Sequence, residues 1–202
     1  MDLCTYHSHC NFCDGKAPAE DFVRAAIEAG FHSYGISSHS PLPFETRWSL
    51  SKGNVEAYLM ELKRLQEKYA GQIELYVGME IDYLNDDWGP AVEYFQRMPL
   101  DYRIGSVHLV TEEQTGEIMD MDGKFEDFRE NLRMVFRDDL KYLVEAYFKA
   151  SSRMVELGGF DFVAHLDKIS MNGSLMDSTL TEQEWYNRLL WDYMSLIAEK
   201  GV

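Results

Sequence analysis

The fold is decided by a short stretch of mainly apolar residues that ends in two histidines, Leu3-Cys4-Thr5-Tyr6-His7-Ser8-His9. Four further apolar runs are followed in the same way by a metal-ligating residue type, at His39, Glu80, His108 and His165. Short apolar runs bounded by turn residues are typical of buried strands. The active-site side chains of an α/β barrel follow its strands. The pattern therefore predicts a catalytic rim where several strands end.

Helical periodicity fills the stretches between the predicted strands. We predict helices over residues 18–29, 52–70, 87–98 and 125–157, the last broken near residues 137–138, and a final helix opened by the capping box Thr181-Glu182-Gln183-Glu184 and closed by Gly201. This alternation predicts an α/β fold with a mainly parallel sheet. About five βα units fit, and Val202 falls where the next strand would begin. We therefore expect one domain, residues 1–202, that holds a partial, C-terminally incomplete barrel.

The composition argues against two classes of partner. The 202 residues carry a formal net charge of -16, whereas proteins that bind nucleic acid need clustered lysine and arginine. No stretch approaches the roughly 20 apolar residues of a membrane span, so we expect a cytoplasmic protein. Three cysteines do not suggest a disulfide framework. We interpret Cys10 and Cys13 as loop cysteines beside a metal site, with a redox or ligand role as the alternative.

The His7-Ser8-His9 motif has the geometry of a metal site. Residues two apart in a strand point to the same side, so both imidazoles can face one ion. Asp14 follows a few residues later, and the two oxygens of Glu80 can bridge two cations. Imidazole and carboxylate together are ligands of first-row metals.

The remaining histidines are weaker candidates when each is taken alone. A single histidine at a strand end is more often a hydrogen-bonded structural residue than a ligand. His39, His108 and His165 all share that position with the other candidates, so we predict that they bind metal as well. His32 lies between a helix end and a strand, and we interpret it as a surface residue.

These segments resemble the motifs of the PHP (polymerase and histidinol phosphatase) family, and of its histidinol-phosphate phosphatase branch in particular. The matches run in family order from residue 3 to about residue 170 and comprise His7-Ser8-His9 with Phe12-Cys13-Asp14-Gly15, Gly35-Ile36-Ser37-Ser38-His39-Ser40, Gly78-Met79-Glu80-Ile81-Asp82, Gly105-Ser106-Val107-His108 and Phe160-Asp161-Phe162-Val163-Ala164-His165-Leu166-Asp167. The resemblance implies a distorted seven-stranded, TIM-like (β/α) barrel. One family motif, an Asp-x-His after the final strand, is missing from this chain.

The resemblance also implies two or three divalent ions of zinc, iron or manganese. It assigns the first ion to His7, His9 and Glu80, the second to Glu80, His108 and His165, and the third to Asp14 and His39. Many relatives have histidine in place of Asp14, and a carboxylate there favours a harder ion such as Mn(II) or Fe(II). Without the Asp-x-His motif, the first and third ions would each lack one ligand.

The implied reaction is the hydrolysis of L-histidinol phosphate, a small phosphorylated substrate, to L-histidinol and phosphate by a metal-activated hydroxide. Arg47, in the loop after His39, and Ser106, before His108, are our candidates for contacts to the substrate. We predict that the acidic stretch 112–127 is a solvated lid whose Asp120 and Asp122 attract the cationic groups of the substrate.

Two other interpretations stay open. An amidohydrolase also begins with H-x-H on its first strand. A PHP domain that lacks its Asp-x-His motif could instead be an inactive metal-binding domain. A partial barrel would have an open sheet edge with exposed backbone groups. We therefore also expect that copies of the chain associate through that edge.

Overall fold

The computed structural model describes residues 2–202, and these residues form two compact units. Unit 1 contains the residues up to Ile81 together with Glu93–Ile104. Unit 2 contains Asp82–Val92 and Gly105–Val202. The sequence-based expectation of a single domain over residues 1–202 stays a prediction.

Unit 1 is built from parallel strands and the helices that connect them. Its elements are β1 (Leu3–Thr5), α1 (Ala19–Glu28), β2 (Phe31–Ile36), α2 (Val55–Lys68), β3 (Glu74–Asp82, whose last residue belongs to unit 2), α3 (Glu93–Gln96) and the first residues of β4 (Tyr102–Ser106). β1 pairs with β2, and β2 with β3, both in parallel, and β4 follows β3 in the sheet. The alternation confirms the predicted α/β class.

Tyr102 packs against two glycines of neighbouring strands, Gly35 and Gly78. A Cβ atom at Gly78 would lie 2.1 Å from Cζ of Tyr102, and one at Gly35 would lie 2.3 Å from its Oη. The Tyr102 hydroxyl donates a hydrogen bond to the backbone oxygen of Tyr6 at 2.5 Å. The absence of side chains at the two glycines thus leaves space for the Tyr102 ring, which holds the segment directly before His7.

Tyr58 of α2 fastens the ends of β2 and β3. Its buried hydroxyl donates to the backbone oxygen of Gly78 at 2.7 Å and lies 3.1 Å from that of Ile36. The same hydroxyl accepts a hydrogen bond from the backbone N–H of Ser38 at 3.2 Å. One side chain therefore fixes the segment that leads from β2 to His39.

Unit 2 combines a β-hairpin with a layer of helices. Its elements are β5 (Leu109–Thr111), β6 (Ile118–Asp120), α4 (Phe125–Phe136), α5 (Leu140–Leu157), β7 (Phe162–Val163), α6 (Ser170–Met176) and α7 (Glu184–Lys200). β7 lies beside β4 in the sheet. α5 packs on α7, where Phe148 meets Tyr186 and Tyr193 edge to face at centroid distances of 5.7 and 6.1 Å.

The long helical segment 125–157 is broken where the sequence predicts. Arg137 and Asp138 have positive φ angles of 57° and 63°, which end α4 and start the turn into α5. The first, second and last predicted helices also form, within a few residues of their expected bounds. Among residues 2–202, none of the helices is long and apolar enough to cross a membrane.

Two helix predictions were wrong in detail. The helix expected over 87–98 is reduced to the four residues of α3, because Asn85 and Trp88 form a turn with paired backbone groups before it. The capping box does not form either. Thr181 lies in a short 3-10 turn, and Gln183 precedes α7 without a side-chain capping bond.

The stretch 112–127, predicted as a solvated lid, is exposed at residues 113–118 but anchored to the core at its end, and its role as a lid stays a prediction. This stretch begins in the antiparallel hairpin of β5 and β6 and ends in the first turn of α4. Met119 and Met121 are buried in the core of unit 2, and Asn172 of α6 donates to the backbone oxygen of Met121 at 3.2 Å. Apolar residues that alternate with the acidic ones bind the hairpin to the core.

Candidate metal centre

The centre of unit 1 is the carboxylate of Glu80, whose side chain is fully buried. Its Oε2 atom lies 3.2 Å from Nε2 of His7, 3.3 Å from Nε2 of His9 and 3.1 Å from Nδ1 of His39. The segments that follow β1 and β2 therefore bring three imidazoles to one oxygen of β3.

Backbone pairing between β2 and β3 continues past the end of β2 and sets this geometry. The Glu80 N–H donates to the oxygen of Ser38 at 3.1 Å, and the Ser40 N–H donates to the oxygen of Glu80 at 2.7 Å. His39 and Glu80 consequently form an isolated parallel bridge. The imidazole of His39 is therefore held beside the carboxylate by the sheet itself.

Ser8 fixes the H-x-H segment from the position between its two histidines. Its backbone oxygen accepts the N–H of Ser37 at 2.8 Å, and its hydroxyl donates to the oxygen of Gly35 at 2.8 Å. The side chain of Ser8 thus anchors the segment to β2, while His7 and His9 both reach Glu80.

A second carboxylate, Asp14, lies on the other side of the same imidazoles. Its Oδ1 atom is 3.6 Å from Nδ1 of His9 and 3.9 Å from Nε2 of His39. The Cys13 sulfur is 3.5 Å from both His9 Nδ1 and Asp14 Oδ1. His9 and His39 therefore each direct one ring nitrogen towards Glu80 and the other towards Asp14.

This part of unit 1 carries a concentration of negative charge. Burial lowers the pKa of His9, but hydrogen bonds with Cys13 and Glu80, together with their charges, outweigh the burial and raise that pKa to about 10. Burial raises the pKa of the Cys13 thiol, but its contacts with His9 and Ser38 bring that pKa below the usual value. A potential that holds a proton so strongly also attracts a metal cation.

Unit 2 contains a pair of histidines, one of which contacts a buried carboxylate. Nε2 of His108 lies 3.1 Å from Nε2 of His165. Nδ1 of His108 lies 2.8 Å from Oδ1 of Asp82, which also accepts the backbone N–H of His108 at 3.0 Å. The His165 backbone is held by α5, because the Tyr147 hydroxyl lies 3.3 Å from the His165 carbonyl oxygen.

Lys168 and Asp122 form an ion pair in unit 2. Nζ of Lys168 is 2.8 Å from Oδ2 of Asp122. Burial raises the pKa of Asp122, but the hydrogen bond and charge of Lys168 and the backbone N–H of Gly123 bring that pKa below its usual value. Asp122, predicted to attract the cationic groups of the substrate, is paired with Lys168 in this structure.

The donor atoms fit divalent metal ions. Two donors that are each about 2.1 Å from one ion lie about 3.0–3.4 Å apart in the common coordination geometries. The contacts of Glu80 with the three imidazoles, and the contact of His108 with His165, fall within this range. In unit 1, two ligand groups have all their donor atoms within 4.8 Å of one another: His7, His9 and Glu80, and His9, Asp14 and His39.

Within unit 1 the predicted ligands His7, His9, Asp14, His39 and Glu80 lie close together, and within unit 2 His108 lies beside His165. Glu80 belongs to unit 1 and His108 and His165 to unit 2, and the prediction that joins all three at one ion stays a prediction. His32 is exposed, as expected.

The two candidates for substrate contacts have different surroundings. Arg47 is exposed. Ser106 is buried, with its hydroxyl 3.5 Å from Nδ1 of His108. The prediction that they contact a substrate stays open for both.

Sequence reasoning missed the position of Asp82 and the contacts of Cys13. Asp82 is fully buried behind His108. Its signal was present, because Asp82 lies two residues after Glu80 in one strand, and such residues share a side of the strand. Cys13 was placed near the metal site, but its contacts with His9 and Asp14 depend on the folded loop.

Comparisons with known proteins give matches within one family. The model of the PHP domain family matches residues 5–202. A probable histidinol-phosphatase of Deinococcus radiodurans is 26% identical over 174 residues, which cover 82% of this chain and 60% of the relative. The histidinol-phosphatase of Bacillus subtilis is 25% identical over 135 residues, which cover 57% of this chain and 47% of that protein. The matches thus span about half to three fifths of these relatives.

Two solved structures share the fold. A protein of Listeria monocytogenes named as a histidinol phosphatase superposes with a TM-score of 0.79 at 23% identity, over 98% of this chain and 79% of its own. The histidinol phosphate phosphatase of Lactococcus lactis, solved with zinc, L-histidinol and phosphate, gives a TM-score of 0.54 at 18% identity, over 98% of this chain and 70% of its own.

Proposed function

This chain belongs to the PHP domain family, and we propose that it is a metal-dependent phosphomonoesterase that hydrolyses L-histidinol phosphate to L-histidinol and phosphate. The family match and the shared fold confirm the predicted PHP-type, TIM-like α/β architecture. They favour a phosphatase over the amidohydrolase interpretation. The names of the curated relatives support histidinol phosphate as the substrate.

The observation that carries the proposal is the buried Glu80 carboxylate with three imidazole nitrogens 3.1–3.3 Å from one of its oxygens. A buried carboxylate surrounded by imidazoles is the donor set of a zinc, iron or manganese site. We propose that His7, His9 and Glu80 hold one divalent ion, and that Asp14 and His39 contribute to a second. In unit 2, we propose His108 and His165 as ligands.

In this assignment of ligands, each imidazole of unit 1 binds a single ion. Nε2 of His9 then serves the ion at Glu80, which leaves its Nδ1–H to face Cys13 and Asp14. Nε2 of His39 serves the ion at Asp14, and its Nδ1 lies 3.1 Å from Oε2 of Glu80. When bound, divalent ions lower the pKa of water and neutralise phosphoryl oxygens.

The net charge of -16 repels an anionic substrate at long range, and bound divalent ions would reverse the sign of the field locally. Arg47 and the buried Ser106 remain our proposed contacts to the substrate. We expect Arg47, which is exposed, to act on substrate binding, so that Arg47→Ala raises KM more than it lowers kcat.

The decisive experiment measures metal content and hydrolysis on the same sample. The purified chain is loaded with Zn(II), Mn(II) or Fe(II), analysed for bound metal, and assayed with histidinol phosphate and with p-nitrophenyl phosphate. We expect bound metal and turnover of both phosphates, but no hydrolysis of simple esters. His7→Ala and Glu80→Gln should lower metal affinity by more than the roughly 10–100-fold typical of residues around the ligands.

His32→Ala is the matched control, because it removes an exposed histidine of the same unit and should leave metal content and turnover unchanged. A chain that binds metal but hydrolyses neither phosphate would be an inactive metal-binding PHP domain. A chain that binds no metal would contradict the proposal altogether.

The proposed partner of this enzyme is a small phosphorylated molecule, and we retain the proposal that copies of the chain associate. β1 lies at an edge of the sheet, and edge strands invite pairing with other chains. Light scattering at several concentrations would show a dimer if such pairing occurs, and a concentration-independent monomer mass would contradict it.

A further inference from the structure

Asp82 and His108 form an enclosed polar pair in unit 2. The side chains are 1% and 3% exposed, respectively. One carboxylate oxygen, Oδ1 of Asp82, receives both the backbone N–H and the Nδ1 side of His108, at 3.0 and 2.8 Å. The two contacts come from one residue, so they fix the carboxylate and the ring relative to each other.

An ionised carboxylate can only accept hydrogen bonds. With Oδ1 as the acceptor in this contact, as it is for the backbone N–H, the proton lies on Nδ1 of His108. A neutral imidazole that is protonated on Nδ1 keeps a lone pair on Nε2. In His108 that lone pair lies on the nitrogen 3.1 Å from Nε2 of His165, which is the spacing of two donors to one ion.

We propose that Asp82 is a positioning residue, which holds His108 in the Nδ1–H form and orients its Nε2 for metal binding. The inference rests on the proposed function, since it assumes that His108 is a ligand. Asp82 itself contributes no ligand atom. It acts through His108, by fixing the ring and by making Nε2 a stronger donor through a charged hydrogen bond.

Other groups near His108 are poorer partners for its Nδ1. The Ser106 hydroxyl is 3.5 Å away, at the limit of a hydrogen bond. The Asp122 carboxylate is already paired with Lys168 at 2.8 Å. Asp82 at 2.8 Å is therefore the group that decides where the proton of His108 lies.

The protonation of His108 can be measured directly. In the metal-free wild-type chain labelled with nitrogen-15, two-bond proton–nitrogen correlations identify which ring nitrogen carries the proton. We expect the Nδ1–H form for His108. An Nε2–H form in the folded wild-type chain would overturn the inference, and this measurement does not depend on whether any variant folds.

The second test compares metal affinity in Asp82→Asn and Asp86→Asn. The amide oxygen of asparagine can still accept from His108, so the geometry should persist while the negative charge is lost. Asp86 lies in the same segment of unit 2 and pairs with Arg153 at 2.7 Å and with Tyr83, away from His108. Zn(II) affinity is measured by competition with a chromophoric chelator, and folding by circular dichroism.

His108→Ala identifies the Zn(II) binding that depends on His108. We expect Asp82→Asn to weaken that binding by about 10–100-fold, and Asp86→Asn to leave it unchanged. A folded Asp82→Asn variant with wild-type affinity would refute the positioning role. Because binding and proton position are read without turnover, a chain that binds Zn(II) in this way but hydrolyses no phosphate would refute the proposed function and leave the role of Asp82 intact.

Discussion

His9 and His39 each face a carboxylate on both sides, Glu80 on one side and Asp14 on the other. A neutral imidazole has one lone pair, so each ring serves one ion at a time unless it loses both protons. The choice of nitrogen in each ring therefore determines how many ions unit 1 can hold. The carboxylate that faces the remaining nitrogen of each ring then helps to orient that ring.

Cys13 provides a probe of an ion at this position. Its sulfur is 3.5 Å from both His9 Nδ1 and Asp14 Oδ1, so an ion held by these residues lies close to it. We predict that Zn(II) slows alkylation of Cys13 by iodoacetamide, measured by peptide mass spectrometry. The exposed Cys4 is the internal control. Equal protection of both cysteines, or of neither, would contradict an ion beside Asp14.

Gly78 is the position where a single methyl group should be most costly. A Cβ there would lie 2.1 Å from Cζ of Tyr102, whose ring is tied to β1 through Tyr6. We predict that Gly78→Ala lowers the free energy of unfolding by about 1–3 kcal/mol or more, as overpacked sites do. Urea denaturation measures the change. Gly53→Ala should be nearly neutral, because no atom lies within 4 Å of its Cβ position.

At the scale of elements, the turn between α4 and α5 is stabilised by a side chain that caps α5. Asp139 caps α5, with its side chain accepting the N–H of Tyr142 at 2.9 Å. We predict that Asp139→Ala lowers the free energy of unfolding by about 1 kcal/mol, as measured by thermal or urea denaturation. Lys124→Ala at the start of α4, which has no side-chain capping bond, should change it much less. Equal losses in both variants would refute the capping role.

Glu112 fastens the hairpin to α5. It accepts the backbone N–H groups of Gln114 and Thr115 at 3.0 and 2.7 Å and the hydroxyl of Tyr142 at 2.8 Å. Burial alone would raise the pKa of Glu112, but these hydrogen bonds outweigh it and lower that pKa from 4.5 to about 2. The ionised side chain of Glu112 therefore stabilises the folded state more than the protonated side chain would.

The stabilising effect of Glu112 should be complete above pH 4.5, the usual pKa, and should be lost as the pH falls towards 2. We predict that Glu112→Gln lowers Tm at neutral pH and makes Tm depend less on pH between these two values. Scanning calorimetry over that range measures both effects. Glu130→Gln, which removes an exposed carboxylate of α4, should leave the profile unchanged. A wild-type profile in Glu112→Gln would contradict the assignment.

For the whole molecule, the dominant long-range force is self-repulsion. The chain has 35 acidic against 19 basic side chains, excluding histidine. Salt shortens the screening length from roughly 30 Å at 0.01 M to roughly 10 Å at 0.1 M. We predict that adding sodium chloride in the presence of a chelator raises Tm, because net repulsion favours the unfolded chain. A Tm that falls with salt would show that specific ion pairs outweigh the repulsion.

The sequence by itself determined the α/β class, most helix bounds, the family and the histidines and carboxylates of the candidate site. These features are local: apolar runs, helical periodicity and residue type all act within a few positions of the chain. They also located the break at Arg137 and Asp138, where the apolar periodicity of one helix stops and that of the next begins.

Only the tertiary structure decided which atoms meet. Asp82 and His108 are 26 positions apart, and His108 and His165 are 57 apart, so no local pattern reports their contact. The β5–β6 hairpin and the reduction of the helix expected over 87–98 have the same origin. In each case, burial of apolar residues and pairing of backbone groups with distant segments outweighed the local preference of the chain.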